Sequence, residues 1–209
     1  SVGQTSYVEA LIHDVRQGHP DFHLCDDQPQ VCSRVTTGLV QDQLGPDGTP
    51  VAVFPSAAGI TDATSFHSWY HEVTGVSMAF TVDLPLVFDP ATNISSFSST
   101  EFFPADNRGF GDTHPAPFVH NFLFTTKIQL EFTYQGGEVF DFFGDDDVWV
   151  FINKRLAVDI GGVHQQASGH VELDTLGLTV GTTYALDLFQ AERMPVMSHF
   201  QFETTIMLT

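Results

Sequence analysis

The stretch FFGDDDVWVFIN, residues 142–153, sets three consecutive carboxylates against an almost wholly apolar run. In an extended chain, Val148, Val150 and Ile152 share one face, and Trp149 and Phe151 the other. A short run that is apolar on both faces and rich in β-branched and aromatic residues reads as a strand buried on both sides, central to its sheet. Asp145, Asp146 and Asp147 therefore lie at the mouth of a rigid strand, in the short turn joining it to GEVFDFF. Adjacent carboxylates held near 4 Å repel by about 4 kcal/mol at an effective dielectric of 20, and by about 1 kcal/mol when splayed into water. Two readings follow: aspartates splayed into solvent from a turn that suits them, or a hard divalent cation among their oxygens. Calcium accepts six to eight oxygens in irregular geometry and fits consecutive residues better than magnesium's strict octahedron. The helix-flanked Asp-x-Asp-x-Asp-Gly loop is not present, so further ligands have to come from a distant segment.

Outward from this strand the same two-residue alternation recurs in SYVEALIHDV, GVSMAFTVDLPLVFD, NFLFTTKIQLEFTY, TTYALDLF and HFQFETTIML. Turn clusters separate them: GPDGTP, YQGGE, GVHQQASGH and LTVGTT. This pattern predicts an all-β chain, an antiparallel β-sandwich forming a single domain over residues 1–209. TSFHSWYHEV predicts one short peripheral helix, capped by Thr64 or Ser65, with Phe66, Trp69 and Tyr70 on one side. Residues 18–62 lack periodicity and predict a long loop-rich excursion.

The 209 residues carry 26 acidic and 7 basic side chains, a net charge of −19 that disfavours nucleic acid and anionic lipid as partners. The same balance favours cations, and equally suits a salt-rich habitat. No apolar run approaches the eighteen residues of a membrane span. Cys25 and Cys32, close together in a polar loop with no further zinc-type ligand nearby, read as a local disulfide of an oxidising compartment, two free thiols being the alternative. The chain opens SVGQTS, without a signal peptide, and is read as a mature or excised segment of an extracellular or cell-surface protein.

Several ordered runs carry a resemblance: GHPDF from Gly18, SFHSWYHEVTGV from Ser65, EFFPADNRGFG from Glu101, then FGDDDVWVFINKRLAVDIGGVH, LDTLGLTVGTTYALDLFQAER and SHFQFET. With these, nearly the whole chain resembles the fibro-slime domain, a branch of the protective-antigen (PA-fourteen) superfamily of β-sandwich modules that includes calcium-dependent lectin domains of adhesins. The resemblance implies that Asp145 and Asp146, joined by a cis peptide, bind Ca2+, with Asp147 adding a ligand or closing the turn. A second loop, residues 191–199, would supply the Glu192 side chain and carbonyls from Met194, Pro195 or Val196. Calcium so held would meet vicinal hydroxyls of a glycan, with His164, Ser198 and His199 as ligand-binding residues. This chain departs from the family where His199 replaces an Asn and where Asn153-Lys154-Arg155 replaces Asn-Gly-Lys. Trp149 is expected to be buried and not a stacking platform.

The function so implied is a calcium-dependent carbohydrate-binding module of a secreted or cell-surface adhesin, and not an enzyme. The alternative is an adhesion module contacting cell-surface proteins, with calcium only stiffening its loops. A glycoside hydrolase using Glu192 and one aspartate ranks lower, because a cation-clamped carboxylate is a poor base. Of the ten histidines, only His67 and His71 combine four-residue spacing with a plausible helix. Without a HExxH motif they read as ordinary surface or capping residues.

Overall fold

The computed structural model describes residues 3–22, 34–113, 119–195 and 197–208. Its strands are β1 (Gln4–Val15), β2 (Ser77–Asp89), β3 (Ile94–Ser99), β4 (Phe124–Thr133), β5 (Val139–Gly144), β6 (Asp147–Ile152), β7 (Arg155–Ile160), β8 (Ala167–Glu172), β9 (Thr183–Glu192) and β10 (Phe200–Thr204). They form one ten-stranded antiparallel sheet in the order β7-β6-β9-β4-β1-β2-β3-β10-β5-β8. The sheet curls until its two ends meet, with β8 laid across β7. Gly169 makes that approach possible, since a Cβ there would lie 2.4 Å from Val158 Cγ1.

The predicted strands are all present, and the all-β antiparallel reading holds. Three more strands, β3, β7 and β8, escaped the alternation argument. ISSFSS offers a single large apolar side chain, and β8 lies partly inside the run GVHQQASGH that reads as a turn.

Curling encloses the main core. Phe140 and Phe142 of β5 and Phe200 and Phe202 of β10 pack with Val148, Val150 and Ile152 of β6 and Leu186 and Leu188 of β9. The opposite face of β6 is covered by residues 34–73. Trp149, Phe151 and Phe189 pack there with Leu39, Val40, Phe66, Trp69 and Tyr70. Backbone bonds from Thr36 to Gly161 (2.6 Å) and from Leu156 to Asp42 (2.8 Å) tie the same segment along the β7 edge, which would otherwise lie open to pairing. Every residue of β6 is buried, and the excursion, not a further strand layer, accounts for the second face.

The helix α1 (Ala63–His67) lies outside the sheet, as expected, but its cap is Asp62. The Asp62 carboxylate accepts from Ser65 N (2.8 Å), and the Ser65 hydroxyl faces Asp62 N in return (3.2 Å). Aspartate takes this role because its ionised oxygen meets the positive end of the first turn. Trp69, just beyond the helix, is fully buried and donates Nε1–H to Asp21 (2.9 Å).

Candidate functional site

β5 and β6 do not pair with each other. β5 lies between β10 and β8, and β6 between β7 and β9, so Asp145 and Asp146 carry the chain from one side of the closed sheet to the other. Gly144 opens this passage, because any Cβ there would sit 2.5 Å from the carbonyl of His199. The Asp145 amide instead donates to that carbonyl at 3.3 Å, locking the first loop to the second. Among the described residues the only cis peptide is Phe54–Pro55. The cis linkage between Asp145 and Asp146 is therefore corrected to trans. Asp146 redirects the chain through φ 56°, a left-handed conformation that aspartate tolerates better than most residues.

The three aspartates have separate partners. Asp145 accepts from the His199 amide at 2.7 Å and lies 2.8 Å from His199 Nδ1. Asp146 accepts from the amides of Arg193 (2.7 Å) and His164 (3.3 Å). Asp147 takes a two-pronged bond from Arg193, Nε to Oδ2 at 2.7 Å and Nη2 to Oδ1 at 3.0 Å, plus the Gly162 amide at 2.6 Å. Both side chains of this ion pair are fully buried. Asp147 is thus corrected from candidate ligand to counter-ion, because both its oxygens are already committed.

The Arg193 guanidinium also donates to the carbonyls of Asp21 and Ala58 and lies 4.8 Å over the Trp69 ring. It pins the second loop to the excursion while turning its charge toward Asp147. Three carboxyls are left beside it. Glu192 is fully buried, and its Oε2 has no hydrogen-bond partner. Burial pushes Glu192 well above the ordinary carboxyl range, and the charges of Asp146 and Asp145 push it further. Burial raises Asp146 to about 7, against the lowering effect of the Arg193 amide. Asp145 is raised by burial, opposed by His199. The Asp146 and Glu192 carboxyls act on each other directly, two acceptors set side by side in the interior.

Asp145 and Asp146 open onto a cavity of about 100 Å³ lined by His164, Gln165, Gln166, Met194 and Met197. The sequence reading brought Asp145, Asp146, Glu192, Met194, Ser198 and His199 to this one region. Ser198 is buried, with its hydroxyl beside the Glu192 carboxyl. His164 is present but engaged: its Nδ1 faces the Gln165 carbonyl at 2.6 Å and its Nε2 that of Ile160 at 3.2 Å. Both ring nitrogens of His164 thus face backbone carbonyls, and a neutral ring donates to one of the two. Val196, Cys25 and Cys32 lie outside the described residues. Trp149 is fully buried, as expected. Arg193, Gln165 and Gln166 were missed. The one available signal was that a lone arginine beside Glu192, in a chain this acidic, has a buried anion to answer.

An antiparallel β module whose strand-crossing loop and second loop join around a buried carboxyl cluster is the class that fold and site define. The chain belongs to the PA14 domain family, which it matches over residues 74–206. Protein psiR of Dictyostelium discoideum is 42% identical over 97% of this chain, and the chain spans about a fifth (21%) of that protein's length. Two solved structures also align. One is a PA14 sugar-binding domain from an RTX adhesin (12% identity, 55% of this chain and 71% of that one, TM-score 0.34). The other is the epithelial adhesin 9 A domain of Candida glabrata in complex with Galβ1-4GlcNAc (13% identity, 95% and 82%, TM-score 0.39). Among the described residues, no helix is long and apolar enough to cross a membrane.

Proposed function

We propose that this chain is a calcium-dependent glycan-binding module of a secreted or cell-surface adhesin. Asp145, Asp146 and Glu192 are its carboxylate ligands, and second-loop carbonyls including that of Met194 complete the protein side. The observation that carries the reading is the fully buried Glu192 carboxyl, its Oε2 unpartnered, under the charges of Asp146 and Asp145 beside a loop whose only guanidinium is turned to Asp147. The donor set fits the ion. It is all oxygen, which suits a hard cation, and the imidazoles nearby are engaged with carbonyls or with Asp145.

Bound there, calcium supplies a positive centre able to accept vicinal sugar hydroxyls in its open coordination positions. The chain's own residues do the rest. His199 holds Asp145 in place from the second loop. Gln165 and Gln166, exposed at the cavity rim, offer amides that both donate and accept, and Met194 and Met197 provide an apolar wall for a sugar's C–H face. Hydrolysis is the poorer reading, because a cation held by Asp146 and Glu192 leaves neither free to serve as acid or base.

A glycan array probed with the chain in millimolar calcium, and again with EDTA, tests the proposal. Binding confined to the calcium arm is the expected result. Equal binding in both arms overturns the calcium role, and calcium-dependent melting with no glycan bound favours a purely structural module.

A further inference from the structure

On the other flank of the excursion the fold brings together three side chains that the proposed glycan site does not use. Asp47, His67 and His71 form the one group of metal-ligating side chains among the described residues whose ligand atoms all converge within 4.8 Å. We propose that they form a second metal site, selective for a divalent transition cation such as zinc. Two imidazoles and a carboxylate suit zinc, where the all-oxygen loop suits calcium.

The tautomer of His71 makes the case. Its Nδ1 lies 2.9 Å from the carbonyl of His67. A carbonyl can only accept, so Nδ1 carries the hydrogen. In the neutral ring Nε2 is then a bare lone pair, and it points at Asp47 Oδ2 from 3.3 Å. Two acceptors face each other, and only a proton or a cation between them relieves the contact. That separation matches the ligand–ligand edge of about 3.3 Å in a zinc tetrahedron with bonds of roughly 2.0–2.1 Å. The His67 ring lies parallel to that of His71, with centroids 3.9 Å apart and planes 9° from parallel, so both imidazoles stand beside Asp47.

Outer contacts already orient the ligands. Asp47 Oδ1 accepts from Thr49 N (3.1 Å) and Thr49 Oγ1 (2.9 Å), leaving Oδ2 for the metal, and the His67 carbonyl fixes the His71 ring. All three side chains line one cavity of about 160 Å³, and Asp47 and His67 are exposed, so an ion has a route in. Three protein ligands leave a fourth position for water or for a donor from another molecule. The site shares no residue with the carboxyl cluster.

The test is calorimetric titration of zinc chloride into the untagged chain carrying Asp146→Asn, with its acidic loop disabled. One saturable zinc site is expected, weakened at least about tenfold by Asp47→Asn and lost in the His67→Ala/His71→Ala double variant. Cobalt in place of zinc should give the intense visible bands of a tetrahedral site, absent from the same variants. Far-ultraviolet circular dichroism checks that each variant is folded, and Asp47→Asn, being on the surface, serves should the double variant unfold. Absence of a saturable site, or a site unchanged in Asp47→Asn and in whichever histidine variants fold, would overturn the proposal and leave His71 as a simple ion pair with Asp47.

Discussion

Replacing Arg193 by methionine tests how the two loops are held together. The guanidinium makes two bonds to Asp147, at 2.7 and 3.0 Å, and two to the carbonyls of Asp21 and Ala58, all fully buried. Methionine fills similar volume and still packs on Trp69, so the loss is mainly electrostatic. Breaking a buried ion pair from one side costs about 3–5 kcal/mol, because the surviving charge cannot reach water. Asp147 retains the Gly162 amide, which softens this, while two carbonyls lose a donor, so about 4 kcal/mol is expected. Urea denaturation of native chain, Arg193→Met, Asp147→Asn and the double variant measures the coupling. The double variant should recover roughly 2 kcal/mol relative to the sum of the singles, because neither orphan charge remains. A single-variant cost below about 1 kcal/mol, or additivity within about 0.5 kcal/mol, would refute the assignment of Asp147 as counter-ion.

Two further outcomes follow from the fold. His13 is buried with an unpartnered Nδ1, and burial, aided by the charges of His71 and Lys127, lowers its pKa to about 4. The unfolded chain takes up this proton near pH 6.5 and the folded chain does not, so stability should fall by about 3 kcal/mol between pH 6.5 and 4. His13→Leu should flatten that part of a pH-stability curve; an unchanged slope would assign the loss elsewhere. Gly169→Ala should cost about 1–3 kcal/mol in thermal or urea unfolding, since the added methyl meets Val158 and Ile160 at 2.4 and 2.8 Å, and a neutral result would mean β8 slides off β7 freely.

The double-sided apolar pattern of VWVFIN was enough to place β6 between two neighbours and bury Trp149, because alternation reports directly on which faces lose water. Alternation could not reveal β8, whose exposed Ser168 and His170 alternate with Ala167, Gly169 and Val171 and present little apolar surface. Nor could it show that residues 34–73 cover the outer face, since an irregular segment carries no period. Resemblance located Asp145, Asp146, Glu192 and His199 together. It did not separate Asp147 from its neighbours, because that depends on Arg193 being folded back into the interior, a long-range contact no local pattern encodes. Asp47 lies twenty residues from His67, so its place beside the histidine pair came only with the fold.

Calorimetric titration of calcium chloride into the native chain and into Asp146→Asn addresses the central claim most directly. Asparagine keeps the shape and tolerates the left-handed backbone at that position, so the variant changes charge with little else. A saturable calcium site in the native chain that vanishes in a folded Asp146→Asn is the predicted result. No calcium uptake at millimolar concentration, or the same uptake in both chains, would contradict it.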